Sequence, residues 1–362
     1  MTSDPLILVD AHEDIAFNTV NFGRNFVLSA RQKRRLESKA AFLGDSGIAT
    51  TGLPDALLGR VGVIFGTLFA QPCAVQLMGG GDCYDNAANA YKMALAQWDV
   101  YQRLADENDR IRLIRSCAEL DAVLATWREG VPFADHKVGI VLSLEGADPI
   151  LEPKQFEEWY ERGVRAVGLA WLHQGRYVGG NREPGRLTRL GHELLDILTH
   201  FHTILDISHM PDMAVQEVLD SFAGTLIASH SNPRHFCESE RHLPDTTIRR
   251  LAERGGVIGA VPYNAFLSTG WSKNDPKSGT PFDRYVAVID HICQVTGAAQ
   301  YVGIGSDLDG GFGVEHTPVG LDTVTDLYQL RAALQSKGYA ESDIQAILGG
   351  NFLRILRTIL PR

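Results

Sequence analysis

TILDISH at residues 203–209 and TLIASHS at residues 225–231 decide the fold. Each is an apolar run that ends in serine and histidine, the pattern of a buried parallel strand delivering a polar side chain at its C-terminal end. ILVDAHED at 7–14 and IVLSLEG at 140–146 repeat the pattern, with His12 and Asp14 in the first and Glu145 in the second. Further apolar runs predict eight strands, over Leu6–Asp10, Val61–Leu68, Val138–Leu144, Ala166–Trp171, Thr203–Ile207, Leu226–Ser229, Val257–Val261 and Val302–Gly305. Between most of them lie amphipathic stretches, Ala87–Ala105, Pro153–Arg162, Gly191–His200, Pro211–Ser221, Pro244–Arg254, Phe282–Val295 and Glu341–Ile359. Strands alternating with helices in this way predict an α/β fold, a (β/α)8 TIM barrel. Residues 1–362 then form one catalytic domain with loop insertions.

Composition narrows the class of function. No run approaches the roughly 18 apolar residues of a membrane helix, and the opening MTSDPLILVDAHED has no basic segment of the secretory kind. A net charge of −10 argues against nucleic acid as partner, since phosphate binding wants a basic face. The basic RQKRR at 31–35 reads as a solvated helix face. The five cysteines, Cys73, Cys83, Cys117, Cys237 and Cys293, are odd in number and scattered, which predicts reduced thiols in a cytoplasmic protein. MGGGD at 78–82 and SKNDPKSGTPFD at 272–283 read as exposed loops and candidate lids, with plain surface linkers as the alternative.

The strand-end clusters carry chemistry. His12 and Asp14 stand two apart, so strand periodicity points both toward the barrel mouth, where imidazole and carboxylate suit a divalent metal such as zinc. His209 and His230 end consecutive strands and can share one ion, while Glu145 lies between the two half-sites in strand order and can bridge them. Two such ions would hold and acidify a bridging water. Each cluster alone reads equally as a helix cap or a hydrogen-bonded core histidine. Their combination does not, because buried charged groups are costly unless paired or metal-bound.

Three further positions have the right chemistry. Asp307 in VGIGSDLDGG can shuttle a proton between water and a leaving amine, although DLDGG is also good turn chemistry. His173 in GLAWLHQG ends the fourth strand and can polarise a carbonyl, with a satisfied core histidine as the alternative. Arg241 in ESERHLPD can clamp a carboxylate, or it is an ordinary surface arginine. HELLD at 192–196 lacks the second histidine of a zincin helix, and DLDGGFGVEH lacks the last glutamate of a calcium loop.

Taken in order, His12 and Asp14, Glu145 in SLEG, His173 in WLHQ, His209, His230 in SHS, Arg241, Asp307 in GSDLDG and the closing GGNFLRIL at 349–356 resemble the membrane (renal) dipeptidase family of binuclear zinc peptidases. The resemblance covers nearly the whole chain. It implies metal ligands His12, Asp14, Glu145, His209 and His230, with Glu145 bridging two zinc ions. It further implies that Asp307 handles the proton, that His173 and Arg241 hold the scissile carbonyl and terminal carboxylate, and that Tyr263 in AVPYNAF faces the substrate. A homodimer is implied as well. The chain departs from the family in two places. Secreted animal relatives have a membrane anchor signal and a disulfide near the site; here Cys73 matches one half but Gly175 occupies the other, and no anchor signal is visible. The loop GRYVGGNREPG at 175–185 lacks the tryptophan expected there, which leaves substrate preference open.

The expected function is therefore a cytoplasmic, zinc-dependent dipeptidase that hydrolyses free dipeptides through a metal-bridging hydroxide, with L- or D-stereochemistry at the C-terminal residue undecided. The nearest rival is an amidohydrolase acting on another small carboxylated amide, such as an N-acyl amino acid or a β-lactam. A metal- or ligand-binding barrel without turnover would have no use for Asp307 beside a full ligand set.

Overall fold

The computed structural model describes residues 5–75 and 81–362. Among these residues nine strands run in chain order: β1 Leu8–Glu13, β2 Val61–Phe69, β3 Ile111–Leu113, β4 Val138–Glu145, β5 Val164–Gly168, β6 Ile204–Asp206, β7 Leu226–Ala228, β8 Val257–Ala260 and β9 Val302–Ile304. All pairings are parallel, and β2 pairs with both β1 and β4 while β9 returns to β1, so eight strands close a barrel. The expected (β/α)8 architecture is what the chain adopts. The ninth, β3, was not expected: Ile111, Arg112 and Leu113 pair with Val138, Gly139 and Ile140 at the N-terminal end of β4, beside the stretch where β4 pairs with β5.

Boundaries shift where the chemistry lies. β1 runs on to Glu13 and so carries His12 within the strand, whereas β5 stops at Gly168 and leaves Leu169 to Trp171 irregular. Strand interiors are fully buried, as Val/Ile-rich parallel strands covered on both faces should be. Two glycines make room at the mouth. A Cβ on Gly259 or Gly305 would lie 1.9 or 1.7 Å from the Ser229 carbonyl oxygen, so both must lack a side chain for the end of β7 to reach inward.

The expected helices form, and the segment Glu341–Ile359 is broken in the middle. Its Ala346–Gly350 turn is π-helical, and a Cβ on Gly349 would sit 2.7 Å from the Ile7 carbonyl, so glycine there lets this turn pack closely beside β1. RQKRR lies in a helix, Ala30–Leu36, opened by Ser29 and Gln32 as a capping box. Only part of it is a solvated face: Lys33 is buried, 4.0 Å from Asp309, and Arg34 bonds Asp322 at 3.1 Å.

The cysteine expectation is corrected. Cys73 and Cys83 form a disulfide, and Cys117, Cys237 and Cys293 are free. The loop after β2 doubles back so that the Cys73 amide donates to the Tyr84 carbonyl and the Tyr84 amide to that of Gln71, both at 2.9 Å. That return aligns the two thiols, and a count of scattered cysteines cannot reveal it. Of the proposed lids, residues 78–80 of MGGGD lie outside the described residues, while 272–283 form an exposed loop with a short helical turn. Among the described residues no helix is long and apolar enough to cross a membrane.

Candidate metal centre and active-site cleft

The C-terminal ends of five strands converge on one cluster. Glu145, at the end of β4, sits in the middle: its Oε2 lies 3.4 Å from His12 Nε2, and its Oε1 lies 3.2 Å from His209 Nε2 and 3.6 Å from His230 Nε2. His12 Nε2 is also 4.0 Å from Asp14 Oδ1 and 3.9 Å from Asp307 Oδ1. The expected residues His12, Asp14, Glu145, His209, His230 and Asp307 are thus brought together. His209 and Asp307 adopt left-handed backbone conformations, with φ of 65° and 55°. Such a conformation costs a non-glycine residue about 1–2 kcal/mol, strain of the sort that collects at functional sites.

Strand-end aspartates hold the cluster in register. Asp10 Oδ1 accepts from the amides of His12 at 3.3 Å and Ser306 at 2.7 Å, tying β1 to β9. Asp206 Oδ1 does the same between β6 and β7, accepting from Ser208 N at 3.0 Å and Ser229 N at 2.9 Å. The Ser229 hydroxyl bonds the other Asp206 oxygen and lies 2.7 Å from His230 Nδ1, so it fixes that ring. Thr67, on β2, donates to Asp14 Oδ1. Beneath, Asp309 accepts from the Thr50 amide and hydroxyl at 2.6 Å and faces Arg24 at 3.8 Å.

The electrostatics call for a cation. Burial pushes Asp307 well above the usual carboxylate range, with Asp14 and Glu145 adding to it, and burial with Glu145's charge lifts Asp14 to about 7. Burial opposes charge on His12, yet Glu145, Asp14 and Asp307 raise it to about 10. Burial and Arg241 drive His209 down to about 4, and burial with His12 and Arg241 drives His230 well below its ordinary value. Three buried carboxyl groups, two of them resisting ionisation, therefore face two neutral imidazoles and a single protonated one. Among the described residues, buried His12 Nε2 has no hydrogen-bond partner, and the nearest carboxylate oxygen to it is that of Glu145 at 3.4 Å. Donors about 2.0–2.2 Å from a tetrahedral zinc stand about 3.3–3.6 Å apart, and the separations here run from 3.0 to 4.0 Å. Within 4.8 Å, His12, Glu145 and His230 form one set of potential ligand atoms, and His12, Asp14 and Asp307 another. The donor set fits a divalent ion.

A cavity of about 460 Å³ opens above the cluster, walled by Trp171, Tyr263, Phe266 and Phe312, with Arg241 at its edge. Tyr263 stacks on Phe312 with ring centres 4.4 Å apart. Arg241 donates to Ser231 Oγ at 3.0 Å and the His230 carbonyl at 2.6 Å, so it is fixed beside a metal-site histidine and is no free surface arginine. Its loop is braced by a two-pronged Arg234–Asp212 pair at 2.8 and 2.9 Å. His173 is not brought to the cluster. It lies in an adjoining cavity of about 540 Å³ that shares Trp171 as a wall, its Nδ1 3.5 Å from Glu183.

Sequence reasoning missed Thr67, Asp10, Asp206, Ser229 and Asp309. The signal for two of them was present, since Asp10 and Asp206 stand two and three residues before the histidines of DAH and DISH.

Comparison with known proteins identifies the chain's family and fold. The family model described as membrane dipeptidase, peptidase family M19, matches residues 3–360. An uncharacterized protein encoded in the pqqA 5′ region of Klebsiella pneumoniae is 29% identical over 71% of this chain and 92% of its own length. Dipeptidase 3 of Rattus norvegicus is 25% identical over 76% of this chain, and the chain spans about half, 54%, of that relative's length. Among solved structures, a metallo peptidase from Rhodobacter sphaeroides, liganded with a phosphinate mimic of the dipeptide L-Ala-D-Ala, has a TM-score of 0.78 at 21% identity, covering 98% of this chain and 100% of that one. The probable dipeptidase PvdM from Pseudomonas aeruginosa gives 0.78 at 20% identity, covering 98% and 95%. The chain belongs to the membrane dipeptidase family, peptidase family M19.

Proposed function

We propose that this protein is a dipeptidase holding two zinc ions, one by His12 and Asp14 and the other by His209 and His230, with Glu145 shared. The observation that carries the reading is the division of Glu145: Oε2 faces His12 and Oε1 faces His209 and His230. Zinc so bound supplies Lewis acidity and makes water acidic enough to yield hydroxide near neutral pH. Asp307, 3.9 Å from His12, takes the proton of the attacking water and passes it to the leaving amine. Arg241 keeps N–H groups free for the C-terminal carboxylate of the substrate, since only part of its five-donor guanidinium is used by Ser231 and His230. Tyr263 and Phe312 form the apolar wall against which the substrate lies. His173, assigned to the scissile carbonyl by the family resemblance, lines the adjoining cavity that shares Trp171.

One domain spanning 1–362 carries the reaction, and the homodimer and cytoplasmic location expected from the sequence belong to the proposal. The location is supported only by the three free thiols, because the Cys73–Cys83 bridge removes the rest of the cysteine argument. The test is a panel of free dipeptides, L and D at the C-terminal residue, each with its N-acetylated counterpart. Cleavage of the free dipeptides supports the reading. Cleavage confined to the acetylated compounds would replace it with an N-acyl amidohydrolase.

A further inference from the structure

Three cations converge on the site cavity, Arg241, Arg182 and Lys273. The chain has 44 acidic and 34 basic residues, and elsewhere some arginines bond carbonyls, as Arg165 and Arg176 do, while others pair with carboxylates, as in Arg34–Asp322, Arg234–Asp212, Arg250–Asp220 and Arg331–Glu341. The cavity cations do not. Arg241 bonds a hydroxyl and a carbonyl, and Lys273 Nζ bonds the carbonyls of Asp45 at 3.2 Å and Gly311 at 3.4 Å. The Arg182 side chain makes no hydrogen bond or ion pair among the described residues. Glu240 lines the same cavity, but its carboxylate accepts from the Asp212 amide at 3.5 Å and forms no ion pair with any of the three.

The placement of Arg182 is built. Its amide donates to the Leu172 carbonyl at 2.7 Å and that of Asn181 to Trp171 at 3.2 Å. A Cβ on Gly180 would lie 2.4 Å from the Trp171 carbonyl oxygen, so the loop rests directly on the backbone of the cavity wall. Asn181 Nδ2 donates to the Glu240 carbonyl at 3.0 Å, which ties this loop to the one bearing Arg241. Arg241 and Arg182 thus line one cavity from two tethered loops, an arrangement that suits a residue carrying two carboxylates. Lys273 comes from a separate loop, 272–283, and touches the turn after Asp307.

Resting on the dipeptidase reading, we infer that the preferred substrates are dipeptides with an acidic C-terminal residue, its side-chain carboxylate taken by Arg182, with Lys273 adding positive potential at the mouth. A charge-assisted hydrogen bond that the neutral isostere cannot match is worth about tenfold in kcat/KM. Zinc-loaded enzyme should thus cleave Ala-Asp and Ala-Glu about tenfold better than Ala-Asn and Ala-Gln, in whichever C-terminal stereochemistry is accepted. That ratio should collapse in Arg182→Glu and be partly kept in Arg182→Lys, with the change mainly in KM. Equal rates on acid and amide, or a ratio unmoved by Arg182→Glu, would overturn the inference while leaving the dipeptidase reading standing. Failure to cleave any free dipeptide would remove both.

Discussion

Nε2 of His209 and Nε2 of His230 face each other at 3.0 Å, although the two rings arrive from different strands and both are kept neutral by burial. Two lone pairs aimed at one another are wasted unless a shared proton or an ion lies between their directions. An ion common to both accounts for the pair. Replacing His209 or His230 with alanine should therefore weaken zinc binding at that position by at least about 100-fold, more than the loss of an outer hydrogen-bond partner. Zinc content after dialysis should fall from two ions per chain to one, and full retention of both would contradict the assignment.

Ser229 and Asp206 should act on the same ion from behind. Ser229 Oγ joins His230 Nδ1 to the Asp206 carboxylate, the orienting contact that metal-binding histidines usually need. Ser229→Ala and Asp206→Asn should each lower zinc affinity about 10- to 100-fold. The check is competition with a chromophoric chelator, alongside thermal melting to show that the variants still fold. Unchanged affinity would reduce both residues to cross-links between β6 and β7.

Asp307 Oδ1 lies 3.9 Å from His12 Nε2 and shares a set of potential ligand atoms with His12 and Asp14. Asp307→Asn keeps the shape and loses the base. It should lower kcat about 10²- to 10⁴-fold while zinc content and KM stay near their original values. Full activity would rule out the proton role.

His242 makes the protein sensitive to acid independently of metal. It is buried, its Nδ1 has no hydrogen-bond partner among the described residues, and burial together with Arg241 and Arg234 lowers it from 6.5 to about 3. Between those values the unfolded chain binds a proton that the folded chain refuses, so this contribution to stability is present above pH 6.5 and is lost as pH falls toward 3. One such group gives a slope approaching 1.4 kcal/mol per pH unit, about one proton. Chemical denaturation of His242→Gln across that window should show a slope shallower by about one proton, and parallel curves would exclude His242 as the sensor.

The barrel and the metal cluster were legible because both obey local rules. An apolar run followed by a polar strand end is visible in ILVDAHED or TILDISH without knowledge of partners, and barrel closure then brings those ends together. β3 was missed because three residues, Ile111–Leu113, are too few to show a period. The Cys73–Cys83 bridge depends on how a loop returns through Tyr84, a tertiary fact. Lys33 looked solvated because its neighbours are, yet its ammonium turns inward to Asp309. His173 had the right residue type at a strand end, but β5 stops at Gly168 and the irregular stretch that follows carries it into the next cavity.

The central claim is that hydrolysis depends on two zinc ions joined through Glu145. Its most direct test is titration of chelated protein with zinc while free-dipeptide cleavage is followed. The account predicts no activity without metal, full activity at two equivalents, and loss of activity in Glu145→Gln that added zinc does not repair. Cleavage by fully chelated protein, or saturation at one equivalent, would contradict it.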